Sequence, residues 1–129
     1  MKLGPKQKQW VKDLRAGYPK CTGRLAEGNL DAITGFCCLG VYAHTQIKSP
    51  WEFTLQRLSF DSGRAFSLGN NESGELGLRN SSGRLLTPVC IGGSRYTTLA
   101  GVNDGAGKDH AWMADFIVKH KDNIFTRSA

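Results

Sequence analysis

The longest uninterrupted apolar stretch of the chain is Gly35-Phe36-Cys37-Cys38-Leu39-Gly40-Val41, which carries no charge and holds two of the 4 cysteines. We expect such a run to be buried at the centre of the fold. Its apolar positions surround most of a helix, which predicts a buried central helix from about Phe36 to Gln46. A short buried strand is the competing interpretation, because apolar runs of this length fit either element.

A first helix is predicted near the N-terminus from the spacing of its apolar residues. Trp10, Val11 and Leu14 lie on one stripe, and lysines fill the other faces. Pro5 suits the first helical turn, where its missing N–H is not needed. Gly17 follows the stripe and is typical of a helix end.

The last third of the chain predicts a polar turn followed by a helix. Asn103-Asp104-Gly105 has the composition of a turn. Asp109 then favours a helix N-terminus, where a carboxylate interacts well with the helix dipole. The core face of this helix consists of large apolar residues: Trp112, Met113, Phe116 and Ile117.

Between these helices the pattern predicts loops and strands. Residues 20–34 are rich in turn-forming residues, and the region from Trp51 to Pro88 is interpreted as β-rich, with a turn at Asp61-Ser62-Gly63 and a strand over Arg84–Ile91. The chain is therefore predicted to be a single α+β domain over residues 1–129. Its small antiparallel sheet would pack with about three helices.

The net charge of the chain indicates which class of partner it can bind. The formal net charge is +6 over 129 residues, which favours anionic ligands or acidic protein faces. No apolar run approaches the ~20 residues of a membrane span, and no secretory signal is recognised. We therefore expect a cytoplasmic protein with reduced thiols, no membrane partner and the option of homo-oligomers.

Catalytic and metal chemistry find little support in the sequence. Adjacent residues on a helix point in different directions, so Cys37 and Cys38 are a poor pair of zinc ligands. A thiol nucleophile with His44 or His110 as its base is conceivable, but the apolar neighbours favour burial of both cysteines. We predict no metal, no cofactor and no catalytic residue.

The polar loops are the better candidates for binding. Their glycines would let a ligand approach the backbone, and arginine, lysine and aromatic side chains are suited to a nucleotide. For Asn103 and Asp104, a turn-and-cap role and a polar pocket are about equally supported. The predicted ligand-binding residues are Arg24, Arg95, Tyr96, Asn103, Asp104, Lys108 and His110.

Four blocks of sequence stand out: Trp10 to Gly17, Gly35 to Val41, Leu99 to Ala106, and a closing helix around Trp112 to Ile117. Together they resemble a group of small, largely uncharacterised proteins encoded by bacteriophages and prophages, although the closing helix departs from the family pattern. The resemblance covers both ends of the chain but not its middle. It implies a phage origin and a shared fold, and it transfers no activity.

Together, resemblance and charge favour a non-enzymatic phage protein that counters host anti-phage defence. On this hypothesis it sequesters an anionic nucleotide-type signal in the host cytoplasm as a sponge, without cleaving it. The alternatives are an inhibitor that docks on a host defence complex or nuclease, and a small thiol hydrolase.

Overall fold

A computed structural model describes residues 1–48, 50–54, 57–59 and 64–129. The helices within these ranges are α1 (Pro5–Leu14), α2 (Cys38–Tyr42), α3 (Asn70–Glu75), α4 (Leu99–Gly105), α5 (His110–Lys119) and α6 (Lys121–Ile124), and a π-helical turn (Ala43–Ile47) continues α2. The strands are β1 (Ala26–Gly28), β2 (Ile33–Phe36), β3 (Glu52–Thr54), β4 (Arg57–Ser59), β5 (Arg84–Ile91) and β6 (Ser94–Thr98). They pair as three antiparallel hairpins, β1–β2, β3–β4 and β5–β6. The predicted α+β class with antiparallel strands is confirmed.

Helix α1 follows its sequence signals closely. Pro5 is its first residue, and Gly17, with a φ of 91°, lies just beyond its end. The predicted stripe of Trp10, Val11 and Leu14 is buried, as is Gln7. The Gln7 side chain accepts a hydrogen bond from the Gly4 N–H and donates to two carbonyls elsewhere in the chain. A buried polar residue thus ties the start of α1 to the rest of the fold.

The apolar run from Gly35 to Val41 forms both of the predicted elements, the end of a strand and the start of a helix. Phe36 ends strand β2, Cys37 caps the helix with its sulfur accepting from the Gly40 N–H at 3.3 Å, and α2 begins at Cys38. A β-carbon on Gly40 would lie 1.8 Å from the Leu25 carbonyl oxygen. Glycine at this position therefore lets α2 rest directly on the backbone beside β1.

The centre of the core lies where α1 crosses α2. Trp10 is fully buried, and its indole N–H donates to the Cys38 carbonyl at 2.8 Å. Its ring makes edge contacts with Tyr42 and Phe125 at centroid distances of 6.4 and 6.3 Å. The apolar run and both ends of the chain meet around this one side chain.

The middle of the chain is less strand-rich than the sequence suggested. Residues 70–75 form helix α3, with the Ser73 hydroxyl donating to the Asn70 carbonyl. Beyond it, Gly77 has a φ of 84°, and Leu78 makes a single isolated bridge to Phe125. The predicted strand over Arg84–Ile91 is β5, whereas the turn at Asp61-Ser62-Gly63 lies outside the described residues. Among the described helices, none is long and apolar enough to cross a membrane.

Candidate functional site

Asn103 is the centre of a buried hydrogen-bond hub. Its side chain is completely buried, and its Oδ1 accepts from the Cys38 N–H at 3.0 Å. Its Nδ2 donates to the Cys21 carbonyl at 3.2 Å and to Asp104 Oδ1 at 2.9 Å. One amide therefore joins α4 to the first turn of α2 and to the loop before β1. Because both polar atoms of the Asn103 side chain already bind groups of the protein, this geometry favours a structural role for Asn103 over ligand binding.

The prediction of a turn at Asn103-Asp104-Gly105 is wrong. These residues complete helix α4, which Thr98 begins by accepting from the Gly101 N–H at 3.0 Å. Asp104 is exposed, yet its Oδ1 also accepts from the Gly23 N–H at 3.0 Å. The tertiary bonds of the hub outweigh the weak local preference of Asn and Asp for turns.

Among the predicted cations, Arg24 lies near this hub without bonding to it. Arg24 and Asp104 both act electrostatically on the Cys21 thiol, which places them beside the same loop. Lys20 donates a hydrogen bond to the carbonyl of Lys108. Within the described part of the chain, the charged ends of Arg24 and Lys108 form no hydrogen bond or ion pair. These two charges remain available to an anion.

His110 is a buried, neutral residue at the start of α5. Its Nε2 lies 2.9 Å from the Phe36 carbonyl oxygen, and a carbonyl only accepts, so this nitrogen carries the proton. Its Nδ1 is then an acceptor, and no donor among the residues that the structure describes reaches it. Burial lowers the pKa of His110, with a smaller contribution from the Lys20 ammonium. His110 therefore holds α5 against the end of β2.

Tyr96 and Arg95 lie on β6 but serve opposite faces. A β-carbon on Gly105 would lie 2.6 Å from the Tyr96 ring, so the ring rests on the glycine face of α4. At Gly105, the close approach that was expected for a ligand is therefore made by the Tyr96 ring. Successive strand residues point to opposite sides, so the exposed Arg95 faces away from α4. The structure thus separates Arg95 from the other predicted residues.

Three of the four cysteines are chemically quiet. Desolvation by burial raises the pKa of Cys21 to about 11 and of Cys37 to about 12, and it raises the pKa of Cys38 well above its ordinary value. Their thiols are protonated at neutral pH and are poor nucleophiles. Cys90 is the exposed cysteine. The described residues contain no group of three or more side chains arranged to hold a metal.

A groove between α5 and β5 was missed by the sequence analysis. We call it the α5 groove; its volume is about 370 Å³. Trp112 and Phe116 stack in it with centroids 5.4 Å apart and planes 19° apart, and Phe116 contacts His120 at 4.4 Å. Cys90, Ile91, Asp115 and Lys119 complete its lining. The i, i+4, i+8 spacing of the three rings is visible in the sequence. Phe116 is buried in the core, as predicted, whereas Trp112, also assigned to the core, is only partly buried and lines the groove.

The polar rim of the α5 groove combines cation and acceptor. Lys119 is exposed and forms no ion pair within the described residues. The carboxylate of Asp115 accepts from Arg15 at 2.8 Å. Burial, then the neighbouring Lys119 ammonium, lowers the pKa of His120, so its ring is mainly neutral at pH 7. The groove can therefore offer aromatic surface to a planar group and a free ammonium to an anion.

No protein-family model, curated protein or solved structure matches the chain.

Proposed function

We propose that this protein is a non-enzymatic binding protein that sequesters an anionic nucleotide-type molecule. The α5 groove carries the proposal. Its aromatic lining is suited to the planar base, and Lys119 is suited to a phosphate. Its volume, about 370 Å³, lies within the range of small-molecule sites.

Charge supports an anionic ligand. The net charge of +6 attracts nucleotides at long range and raises their association rate. Arg24 acts electrostatically on the Cys21 thiol and so adds positive potential beside the Asn103 hub. Lys108 is exposed just after α4. These predicted contacts remain candidates for a phosphate, although Arg95 faces elsewhere.

The buried thiols support binding without turnover. A thiol hydrolase needs a thiolate near neutral pH, which requires a lowered thiol pKa. Burial instead raises the pKa of three thiols, those of Cys21, Cys37 and Cys38. Sequestration requires only that the ligand is held. The resemblance to phage proteins then suggests the role: a sponge that removes a host defence signal.

Titration with mono- and cyclic nucleotides, followed by NMR of the indole N–H groups, tests the proposal. The chain has 3 tryptophans, and only Trp112 lines the α5 groove, so its signal should move while those of Trp10 and Trp51 stay. Ligand recovered intact after long incubation would support sequestration. If no nucleotide binds at micromolar protein, the proposed function is wrong.

Substitutions locate the ligand within the molecule. Lys119→Ala should weaken nucleotide binding roughly tenfold by removing a charge-assisted contact. Lys8→Ala removes the same charge from exposed α1 and should leave the affinity nearly unchanged. A loss of affinity in Arg24→Ala/Lys108→Ala, with Lys119→Ala unaffected, would place the ligand at the loops rather than in the α5 groove.

A further inference from the structure

A second cavity lies on another face of the molecule, beside the π-helical turn. Its volume is about 580 Å³, and it is lined by the end of α1, the turn itself and the residue that follows: Gln9, Asp13, Tyr18, His44, Thr45, Gln46 and Lys48. None of these residues lines the α5 groove. We call this the π-turn cavity.

The backbone of the π-turn cavity is unusual at two places. A π-helical turn is a rare conformation that often accompanies functional sites. Lys48, which follows it, has a φ of 60° and a ψ of 21°, and its N–H closes the turn onto the Ala43 carbonyl at 3.0 Å. Left-handed backbone is uncommon for lysine and persists only where the surroundings fix it.

His44 is held in a fixed orientation in the cavity wall. Its Nδ1 accepts from the Trp51 indole N–H at 3.2 Å, so its proton sits on Nε2 when the ring is neutral. The ring lies 4.6 Å from that of Phe36 and 5.9 Å from that of Tyr18, which meets it edge-on. The Nε2–H group has no bonding partner within the described residues.

Most other polar groups of the wall are already committed. Gln9 Nε2 donates to Asp13 Oδ1 at 2.8 Å. The Thr45 hydroxyl donates to the Val41 carbonyl at 2.9 Å, and Gln46 Nε2 donates to the Lys6 carbonyl at 3.0 Å. A ligand must therefore be recognised chiefly by the groups that remain.

Asp13 supplies a shielded acceptor in the wall. Its Oδ2 is hidden from solvent, and within the described residues no hydrogen-bond donor reaches it. A carboxylate oxygen in this position is unfavourable unless a donor reaches it. Rotation about the terminal side-chain bond, which is broad for aspartate, can turn this oxygen towards the cavity at the expense of the exposed bond from Gln9 to Oδ1.

The polar groups of the wall that remain available are thus of two kinds, an acceptor and donors. Asp13 can bind a hydrogen-bond donor, whereas the exposed Lys48 and the His44 Nε2–H can bind an acceptor. We propose that the π-turn cavity binds a small zwitterion of the amino-acid type, with its ammonium on Asp13 and its carboxylate on Lys48 and His44. The Tyr18 and His44 rings provide apolar surface for the side chain of the ligand.

Three matched probes test this proposal: L-leucine, isoamylamine and isocaproate. The last two each keep one charged group of leucine and the same branched chain. The Trp51 indole N–H signal is the readout, because that group binds His44 in the cavity wall. Leucine should shift it at roughly tenfold lower concentration than either fragment, and the Trp112 signal should not move.

Variants separate the two charges. Asp13→Asn should abolish the advantage of leucine over isocaproate, and Lys48→Gly, which also fits the left-handed backbone, should abolish its advantage over isoamylamine. Lys12→Ala, adjacent on α1 but outside the cavity, is the control and should change neither. Equal shifts with all three probes, or no shift with leucine, would overturn the proposal.

Discussion

Replacing Asn103 with alanine removes the centre of the buried hub. The truncation leaves the Cys38 N–H and the Cys21 carbonyl without their partner, and both bonds are buried. It also removes the partly buried bond to Asp104. The hydrogen-bonding demands of two separate backbone segments are therefore unmet after a single substitution.

The size of the effect follows from the number of orphaned groups. Each buried polar group left without a partner costs about 1–3 kcal/mol. Two such groups predict a loss of about 3 kcal/mol, allowing for partial relaxation and entry of water. A domain of this size is stable by only about 5–15 kcal/mol, so the melting temperature should fall by roughly 10 °C.

Asn123 provides a matched control for this measurement. Its side chain also makes three hydrogen bonds, all to Thr87, but they are exposed to water. In Asn123→Ala the freed groups can be hydrated, so the expected loss is below about 1 kcal/mol. Urea unfolding of both variants gives the comparison. Equal losses would refute the reasoning that burial sets the strength of the hub.

Three further predictions concern other sites. Gly40→Ala should destabilise the fold by about 1–3 kcal/mol, because its β-carbon would collide with the Leu25 carbonyl, a backbone group that cannot move aside cheaply. Gly74→Ala, whose β-carbon would meet no atom of the described residues within 4 Å, should instead stabilise the fold by roughly 0.5–1 kcal/mol; thermal unfolding measures both changes, and a stabilising Gly40→Ala would contradict the packing. Native iodoacetamide labelling followed by mass spectrometry should modify Cys90 alone, since the other three thiols are buried and protonated; a second adduct without denaturant would count against this. Because burial lowers the folded-state pKa of His110 below its ordinary 6.5, stability should be full above that pH and decline as pH falls through the range below it. His110→Gln, which keeps the Nε2 donor, should flatten the decline in melting temperature; an unchanged pH profile would exclude His110 as its source.

The sequence was most informative where local and tertiary preferences agree. Pro5, the apolar stripe and Gly17 specify α1, and Asp109 begins α5, where its carboxylate accepts from the Trp112 N–H at 2.9 Å. The apolar run was correctly predicted to be buried. Its division between a strand end and a helix could not be predicted, because burial alone does not distinguish the two elements.

Contacts between distant parts of the chain explain why the turn predicted at Asn103 was wrong and why the α5 groove was not predicted. Asn103 has the local signature of a turn residue, and its helical position depends on partners that sequence reading could not place beside it. The α5 groove was missed for a related reason: an aromatic residue at helical spacing serves equally in a core or in a groove wall. The partial exposure of Trp112 depends on how β5 packs against α5, which the sequence pattern does not specify.

The spacing of the hub along the chain gives Asn103 a kinetic role. Its bonds to Cys38 and Cys21 span 65 and 82 residues, and closing such large loops requires most of the chain to be arranged first. We therefore expect the hub to form after the rate-limiting step of folding. Its loss should then leave the refolding rate nearly unchanged and accelerate unfolding. Asn103 would thus lengthen the lifetime of the native state by slowing its unfolding.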